Sequence, residues 1–313
     1  MFKISIIVVS YNTSDHLARC LGSIYRVERR VAFETIVVDN NSQDDSRAML
    51  ARRFPQVHTV ESNTNLGFAK GCNLGAHHAS GQYLLFLNSD TEVLADTLEQ
   101  LAEFLDQHAE VGVVTSRLVY PDFSDQGVAR SFPRPANAIL GRNSLLTKWF
   151  PNNQVSRRYL LSRHNLSQVP FEVDWVSGAC LMIRSEVFKT IGGFDERFFM
   201  YWEDADLCFR VKQRAWKIFI VPEAKVVHYE GKSPSRKARQ IVLFHRNVYR
   251  FYRKNYLRSS TDPRNILAIV VLSARAVFLV LADQLKRFVA KGTTRIRRMR
   301  PSRCIPQAIR LHR

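Results

Sequence analysis

Apolar residues fall in short unbroken runs over the first 120 positions, separated by polar stretches of helical spacing. Residues 3–10 (KISIIVVS), 34–39 (ETIVVD), 57–61, 82–88 (QYLLFLN) and 111–119 are such runs. Their β-branched content fits strands buried on both faces. Residues 13–25, 44–53 and 96–108 read as helices, and Ser42 stands where a cap for the second belongs. Residues 65–79 read as a glycine-containing loop running into a further helix. This alternation predicts the α/β class, with a doubly wound, mostly parallel sheet flanked by helices. Such sheets bind ligands at the carboxyl ends of their strands. Tyr11, Asn12, Asp39, Asn40, Ser89 and Asp90 are then expected along one edge.

The pattern fades between residues 120 and 170, where Pro121, Pro133, Pro135, Pro151 and Pro170 punctuate a polar, arginine-rich stretch. Its length suits a substrate-side insertion or mobile lid. Regular structure resumes at Val173, with Gly178 and Ala179 before a strand. The densest chemistry lies in Trp202-Glu203-Asp204-Ala205-Asp206-Leu207, three carboxylates among aromatic and apolar neighbours. Leu207, Cys208 and Val211 follow Asp204 at the i+3, i+4 and i+7 spacing of one helix face. Asp204 is therefore expected to face inward at a helix start, with Glu203 and Asp206 turned away. An inward acid there is either a helix cap or a catalytic group, and the pattern leaves both open.

Composition alters this picture only at the C-terminal end. The chain has 313 residues, 46% hydrophobic and 24% charged, an ordinary globular balance, yet its net charge is +18. Residues 232–313 hold 21 Lys plus Arg against two acids, Asp262 and Asp283, while residues 1–231 are nearly neutral. A basic appendage points to an anionic partner, nucleic acid or an acidic membrane surface. Residues 241–258 place Arg246, Arg250, Arg253, Lys254 and Arg258 on one helical stripe and Phe244, Val248, Phe251 or Tyr252, and Tyr256 on another, as in a basic amphipathic surface helix. Residues 266–282 are largely apolar but interrupted by Arg275. That run is short for a span, so in-plane membrane association is expected, with packing on the body as the alternative. The apolar helical runs fit lipid better than a nucleic-acid groove, which makes nucleic acid the lesser reading. Residues 295–303 read as a disordered basic end. Five scattered cysteines without paired spacing imply neither a disulfide framework nor a zinc site and suit a reducing compartment. The first apolar run ends in Ser10-Tyr11-Asn12 without a small-residue cleavage site, so no signal peptide is expected.

Three strand-end motifs stand in order with the acidic helix. They are Val8-Val9-Ser10-Tyr11-Asn12, Val37-Val38-Asp39-Asn40-Asn41-Ser42 and Leu87-Asn88-Ser89-Asp90. Residues 65–75 (NLGFAKGCNLG) lie between the second and third. Together with WEDADL they resemble the inverting glycosyltransferases of family 2, of GT-A fold, and among these the rhamnosyltransferase-like members. The likeness covers roughly residues 3–232.

The resemblance implies a role for each motif. Asp39 would accept the imide N–H of a uracil or thymine ring, with Tyr11 packed on the base. Asn12, Gly67, Asn73, Asn88 and Ser89 would lie around the nucleotide-sugar. Asp90 takes the last position of the family's DxD element, Asn88 replacing its first carboxylate. With His228 it would hold a divalent metal, magnesium or manganese, on the sugar diphosphate. Asp204 would be the base that deprotonates the acceptor, with Glu203 orienting it. Gly178, Ala179 and Trp202 would meet the acceptor, Trp202 as a stacking platform. The processive members' QxxRW spacing is missing from Gln213-Arg214-Ala215-Trp216, which implies one sugar added per encounter. The implied protein has a catalytic body over residues 1–231, with a nucleotide-sugar half to about 120 and an acceptor half beyond. Residues 232–313 form a helical tail. Its partners would be a pyrimidine nucleotide-sugar and a lipid-linked saccharide at the cytoplasmic membrane face, in cell-envelope polysaccharide synthesis. The opposing readings are a nucleic-acid-binding protein acting through the tail and an inactive sugar-nucleotide-binding relative.

Overall fold

The computed structural model describes residues 3–27, 30–127, 129–132, 167–229, 237–257, 259 and 261–298. The elements run β1 (Ile4–Ser10), α1 (Ser14–Val27), β2 (Phe33–Asp39), α2 (Ser46–Arg53), β3 (His58–Glu61), α3 (Phe68–His77), β4 (Tyr83–Asn88), β5 (Thr91–Val93), α4 (Thr97–Gln107) and β6 (Val111–Val119). After the fading stretch come β7 (Phe171–Glu172), β8 (Cys180–Arg184), α5 (Ser185–Thr190), α6 (Glu203–Gln213), β9 (Lys217–His228), α7 (Lys237–Tyr256) and α8 (Pro263–Arg298).

The strands form one sheet in the order β3-β2-β1-β4-β8-β6-β9-β5, with β7 also paired to β9. The half that starts the chain is parallel throughout, β3 through β4. The other half is mixed, because β8 lies antiparallel to both β4 and β6, and β5 and β7 antiparallel to β9. An unbroken apolar run marks a strand covered on both faces but not its direction. The central strands are such runs: Ile4, Ile6, Ile7, Val8 and Leu84 to Leu87 are all buried. Helix α1 covers them with Leu17, Cys20, Leu21 and Ile24 at helical spacing. Each such side chain contributes about 1.5–3 kcal/mol by leaving water. Ser42 does not cap α2; its hydroxyl accepts the Asn12 amide, and Asp44 accepts the amide of Ser46 instead.

Two expectations for the later chain change. The stretch after residue 120 was read as an insertion or lid, yet its first residues are fixed: Val119 bridges to Asp125 and Arg130 to Trp175. Residues 133–166 lie outside the described residues, as do 230–236, where the boundary near 231 was drawn, and the basic end beyond 298. Helix α7, expected as a surface helix, is docked on the body. Its Val248 and Phe251 join Phe198, Trp202 and Ala205 in a second apolar cluster, completed by Leu272 of α8. Arg250 and Lys254 turn toward the body, whereas Arg246 and Arg253 stay exposed. Helix α8 is apolar over 23 residues, Pro263–Leu285, longer than the sequence run suggested. Most of it is exposed, including Ile266, Val270, Val277, Phe278 and Leu281.

Candidate active site

Strand register brings the donor-side residues level. Ser10 of β1 pairs with Asp39 of β2, and Val9 pairs with Asn88 of β4. The carboxylate of Asp39 is 0% exposed. Its Oδ2 accepts from the Ser42 amide at 3.2 Å and from Arg47 Nε at 2.7 Å, while Oδ1 is buried without a partner. A buried acceptor left open costs on the order of 1–3 kcal/mol, so it marks a place for a donor to enter. Beside it Tyr11 is 37% exposed at the strand end. Asn12, in the left-handed region at φ 54°, accepts the Gln43 amide and so folds the β1 end over the β2 end. A hydroxyl chain, Ser10 to Thr13 at 2.9 Å and Thr13 to Ser89 at 3.0 Å, ties β1 to the turn after β4. Arg47 was not foreseen at the site; Asn40 was expected only as one of the polar residues along the edge. Asn40 is buried and grips residues 65–67 through Asn65 Oδ1, Gly67 O and the Leu66 amide.

Asp90 and His228 meet at the next position along the edge, His228 Nε2 lying 3.4 Å from Asp90 Oδ1. Gln126 fixes the imidazole. Its amide nitrogen donates to His228 O at 2.7 Å, so its oxygen is the atom that faces His228 Nδ1 at 3.0 Å. Nδ1 therefore carries the proton, and in the neutral ring Nε2 presents a lone pair toward a carboxylate. Two acceptors aimed at each other fit a cation between them, and a fixed Nδ1–H is the usual support of a metal-binding histidine. Burial alone would raise Asp90; with the imidazole protonated instead, its Nε2–H and charge outweigh that burial and hold the carboxyl below its usual range, so the pair binds either a proton or a metal at Nε2. Among the described residues no group of three metal-ligating side chains occurs, so Asp90 and His228 stand here as a pair. Gln126 had no sequence signal.

Asp204 sits in the first turn of α6. Its Oδ2 accepts the Gly178 amide at 3.0 Å and its Oδ1 the Ala205 amide at 2.7 Å. The second contact satisfies a free N–H of the first turn, but the N-cap position is Trp202, which makes no side-chain capping bond, so Asp204 is not the cap. Burial raises Asp204, moderated by those backbone donors. Glu203 and Asp206 are not turned to solvent as expected. Glu203 is 6% exposed with Oε2 unpartnered, and burial followed by the charge of Asp204 pushes it well above the carboxylate range. Geometry distinguishes the two acids: two N–H donors favour the charged form of Asp204, whereas Glu203 Oε2 is buried without a partner, which favours its protonated form. Asp206 is fully buried and paired with Arg210 at 2.8 Å and Lys254 at 2.7 Å. The turn before α6 is strained, since Tyr201 and Trp202 both adopt φ 72°. Left-handed backbone at non-glycine residues costs about 1–2 kcal/mol each.

Five expected binding residues have other tasks. Asn73 clasps Phe194, accepting its amide at 2.9 Å and donating to its carbonyl at 2.9 Å, so its amide is committed to the fold. Gly67 lies at φ 81°, where an added Cβ would fall 2.3 Å from Phe199 O; it lets α3 meet the loop before α6. Gly178 gives its amide to Asp204, and Ala179 is buried with its carbonyl accepting the Asn88 amide. Neither offers backbone to an acceptor. Trp202 is 9% exposed, its ring surrounded by Trp175, Phe244 and Phe251, which leaves no face for a sugar.

The chain resembles known proteins along most of its length. The pattern of glycosyl transferase family 2 matches residues 5–192, and that described as the N-terminal domain of galactosyltransferase matches residues 160–232. The N-acetylglucosaminyl-diphospho-decaprenol L-rhamnosyltransferase of Mycobacterium tuberculosis is 29% identical over 259 residues, 79% of this chain and 82% of that protein. The dTDP-rhamnosyl transferase RfbF of Shigella flexneri is 23% identical, covering 89% of this chain and 88% of its own. Among solved structures, the mannosyltransferase PcManGT from Pyrobaculum calidifontis, in complex with GDP-Man and Mn2+, superposes with a TM-score of 0.57 at 18% identity, covering 94% of this chain and 80% of that one. The parallel first half of the sheet, its mixed second half and the family match agree: the chain belongs to glycosyl transferase family 2 and is a glycosyltransferase of the GT-A fold.

Proposed function

We propose that the protein transfers a single sugar, with inversion, from a pyrimidine nucleotide-sugar to a hydroxyl of a lipid-linked saccharide in cell-envelope polysaccharide synthesis. The observation that carries the donor class is the open Oδ1 of Asp39. One free carboxylate oxygen matches the single imide N–H of uracil or thymine. Guanine presents two donors on that edge and needs both oxygens, but Oδ2 is already taken by Ser42 and Arg47. The mycobacterial and Shigella relatives, named for L-rhamnosyl and dTDP-rhamnosyl transfer, favour dTDP-rhamnose, with a UDP-hexose second. Asp90 and His228 would hold a divalent metal, which when bound neutralises diphosphate charge. Asp204 accepts the proton of the attacking hydroxyl, and the strand-edge residues fix the donor beside it. Incubation with dTDP-rhamnose, UDP-glucose or GDP-mannose and an N-acetylglucosaminyl-diphospho-prenol tests this. Transfer only from GDP-mannose would overturn the donor assignment.

The acceptor class leads to location. The exposed apolar face of α8, flanked by a net basic tail, fits the anionic cytoplasmic leaflet. Each basic residue near such a surface contributes about 1 kcal/mol. The full chain is expected to sediment with anionic liposomes, and a chain ending at residue 262 to stay in the supernatant. High salt should release only part of the full chain, because the apolar contribution is not screened. Equal recovery of both in the supernatant would remove the membrane assignment; a DNA shift by the full chain alone would give the tail to nucleic acid.

A further inference from the structure

The turn that delivers Asp204 is gripped from two sides. Phe199 O accepts the Phe68 amide at 2.7 Å from the catalytic body, and Trp202 O accepts the Asp206 amide at 3.0 Å as the opening bond of α6. Met200 O accepts Asn247 Nδ2 at 2.8 Å, and Arg197 O accepts Arg250 Nη1, both from α7. Asn247 is 0% exposed, and its Oδ1 accepts Arg250 Nη1 at 3.0 Å, so both ends of its amide are used. Asn247, Arg250 and Lys254 stand at i, i+3 and i+7, one helical stripe aimed at the body. Lys254 completes it by reaching Asp195 at 2.8 Å and the buried Asp206 at 2.7 Å. Between these anchors Tyr201 and Trp202 hold their left-handed backbone, with Phe244 and Phe251 against the Trp202 ring. Consecutive left-handed non-glycine residues persist only where the surroundings over-determine them.

We infer that α7 is a strap that sets the geometry of the base, and that Asn247 is its positioning residue, acting on Asp204 through the Met200–Trp202 turn. The inference rests on Asp204 being the base. It makes the first tail helix part of the catalytic apparatus, whatever α8 binds. The α7 hydrogen bonds and ion pairs to the body named above fall on residues 195–206, away from the donor corner, so its loss should affect turnover and leave donor binding intact.

The test uses the full chain, with dTDP-rhamnose (or UDP-glucose if that is the donor used) and an N-acetylglucosaminyl-diphospho-prenol. Asn247→Asp keeps size and the acceptor for Arg250 but cannot donate to Met200 O. It is expected to lower kcat about a hundredfold, the order that misplacing a catalytic group by about 1 Å produces. The dissociation constant of the nucleoside diphosphate with manganese should stay within about twofold. The low-pH limb of kcat should shift with it. Should Asn247→Asp fail to fold, Arg250→Gln, at a half-buried position, decides, with an expected loss of about tenfold in kcat alone. Native kcat in a folded Asn247→Asp, or in Arg250→Gln, overturns the strap. Asp204→Asn in the same assay separates the two claims. If it is inactive while Asn247→Asp is native-like, only the strap fails; if it is fully active, the base assignment fails first.

Discussion

Asp204→Asn is expected to keep the fold and donor affinity and to lose transfer by about a hundredfold or more, the usual effect of removing a general base. The amide still accepts one of the two N–H groups from Gly178 and Ala205 that hold the carboxylate. The ring of contacts around Trp202 and the donor corner at Asp39 are untouched. The pH profile provides a second readout. Burial raises Asp204, so the wild-type rate should fall as pH drops through a value above the ordinary carboxylate range. In Asp204→Asn that limb disappears. Glu203→Gln mimics the protonated acid that burial favours at that position, and should lose far less. A profile of unchanged height and shape in Asp204→Asn would leave this residue only the structural task of accepting the Gly178 and Ala205 amides. A deeper loss in Glu203→Gln would exchange the two roles.

The contrast between these acids shows where the sequence stops being readable. Asp39 and Asp90 were legible because unbroken apolar runs end abruptly at polar residues, and register does the rest. The spacing of Leu207, Cys208 and Val211 located Asp204 correctly near a buried side. It misplaced Glu203 and Asp206 because the first turn of α6 is covered on two sides, by the sheet and by α7, so both acids are buried there. The basic stripe of α7 looked solvated for the same reason. The partners of Arg250 and Lys254 are a carbonyl and two carboxylates about fifty residues away, which no local pattern records. Asn73 and Gly67 were found, since both belong to a recognisable glycine-containing motif. Their tasks were not, because Phe194 and Phe199, which they meet, are over 120 positions distant.

Asp90→Ala should change the metal dependence of donor binding more than His228→Ala does. In Asn88-Ser89-Asp90 the first residue is an uncharged amide, so Asp90 supplies the only negative charge in the turn. A divalent cation gains more from that charge than from a neutral imidazole nitrogen. At saturating manganese the nucleoside diphosphate should therefore bind at least tenfold more weakly to Asp90→Ala, with a smaller loss in His228→Ala. Without metal the order should invert. The same carboxylate, held below its usual range beside His228, then opposes a diphosphate of like sign, and its removal should leave binding equal or improved. Calorimetry across the manganese series separates these terms, because the wild type must show a steep gain with metal and the Asp90 variant a shallow one. Equal affinity with and without Asp90 at saturating manganese would mean that the diphosphate is held elsewhere. The lone pair that Gln126 turns toward Asp90 would then serve only to order the end of β9.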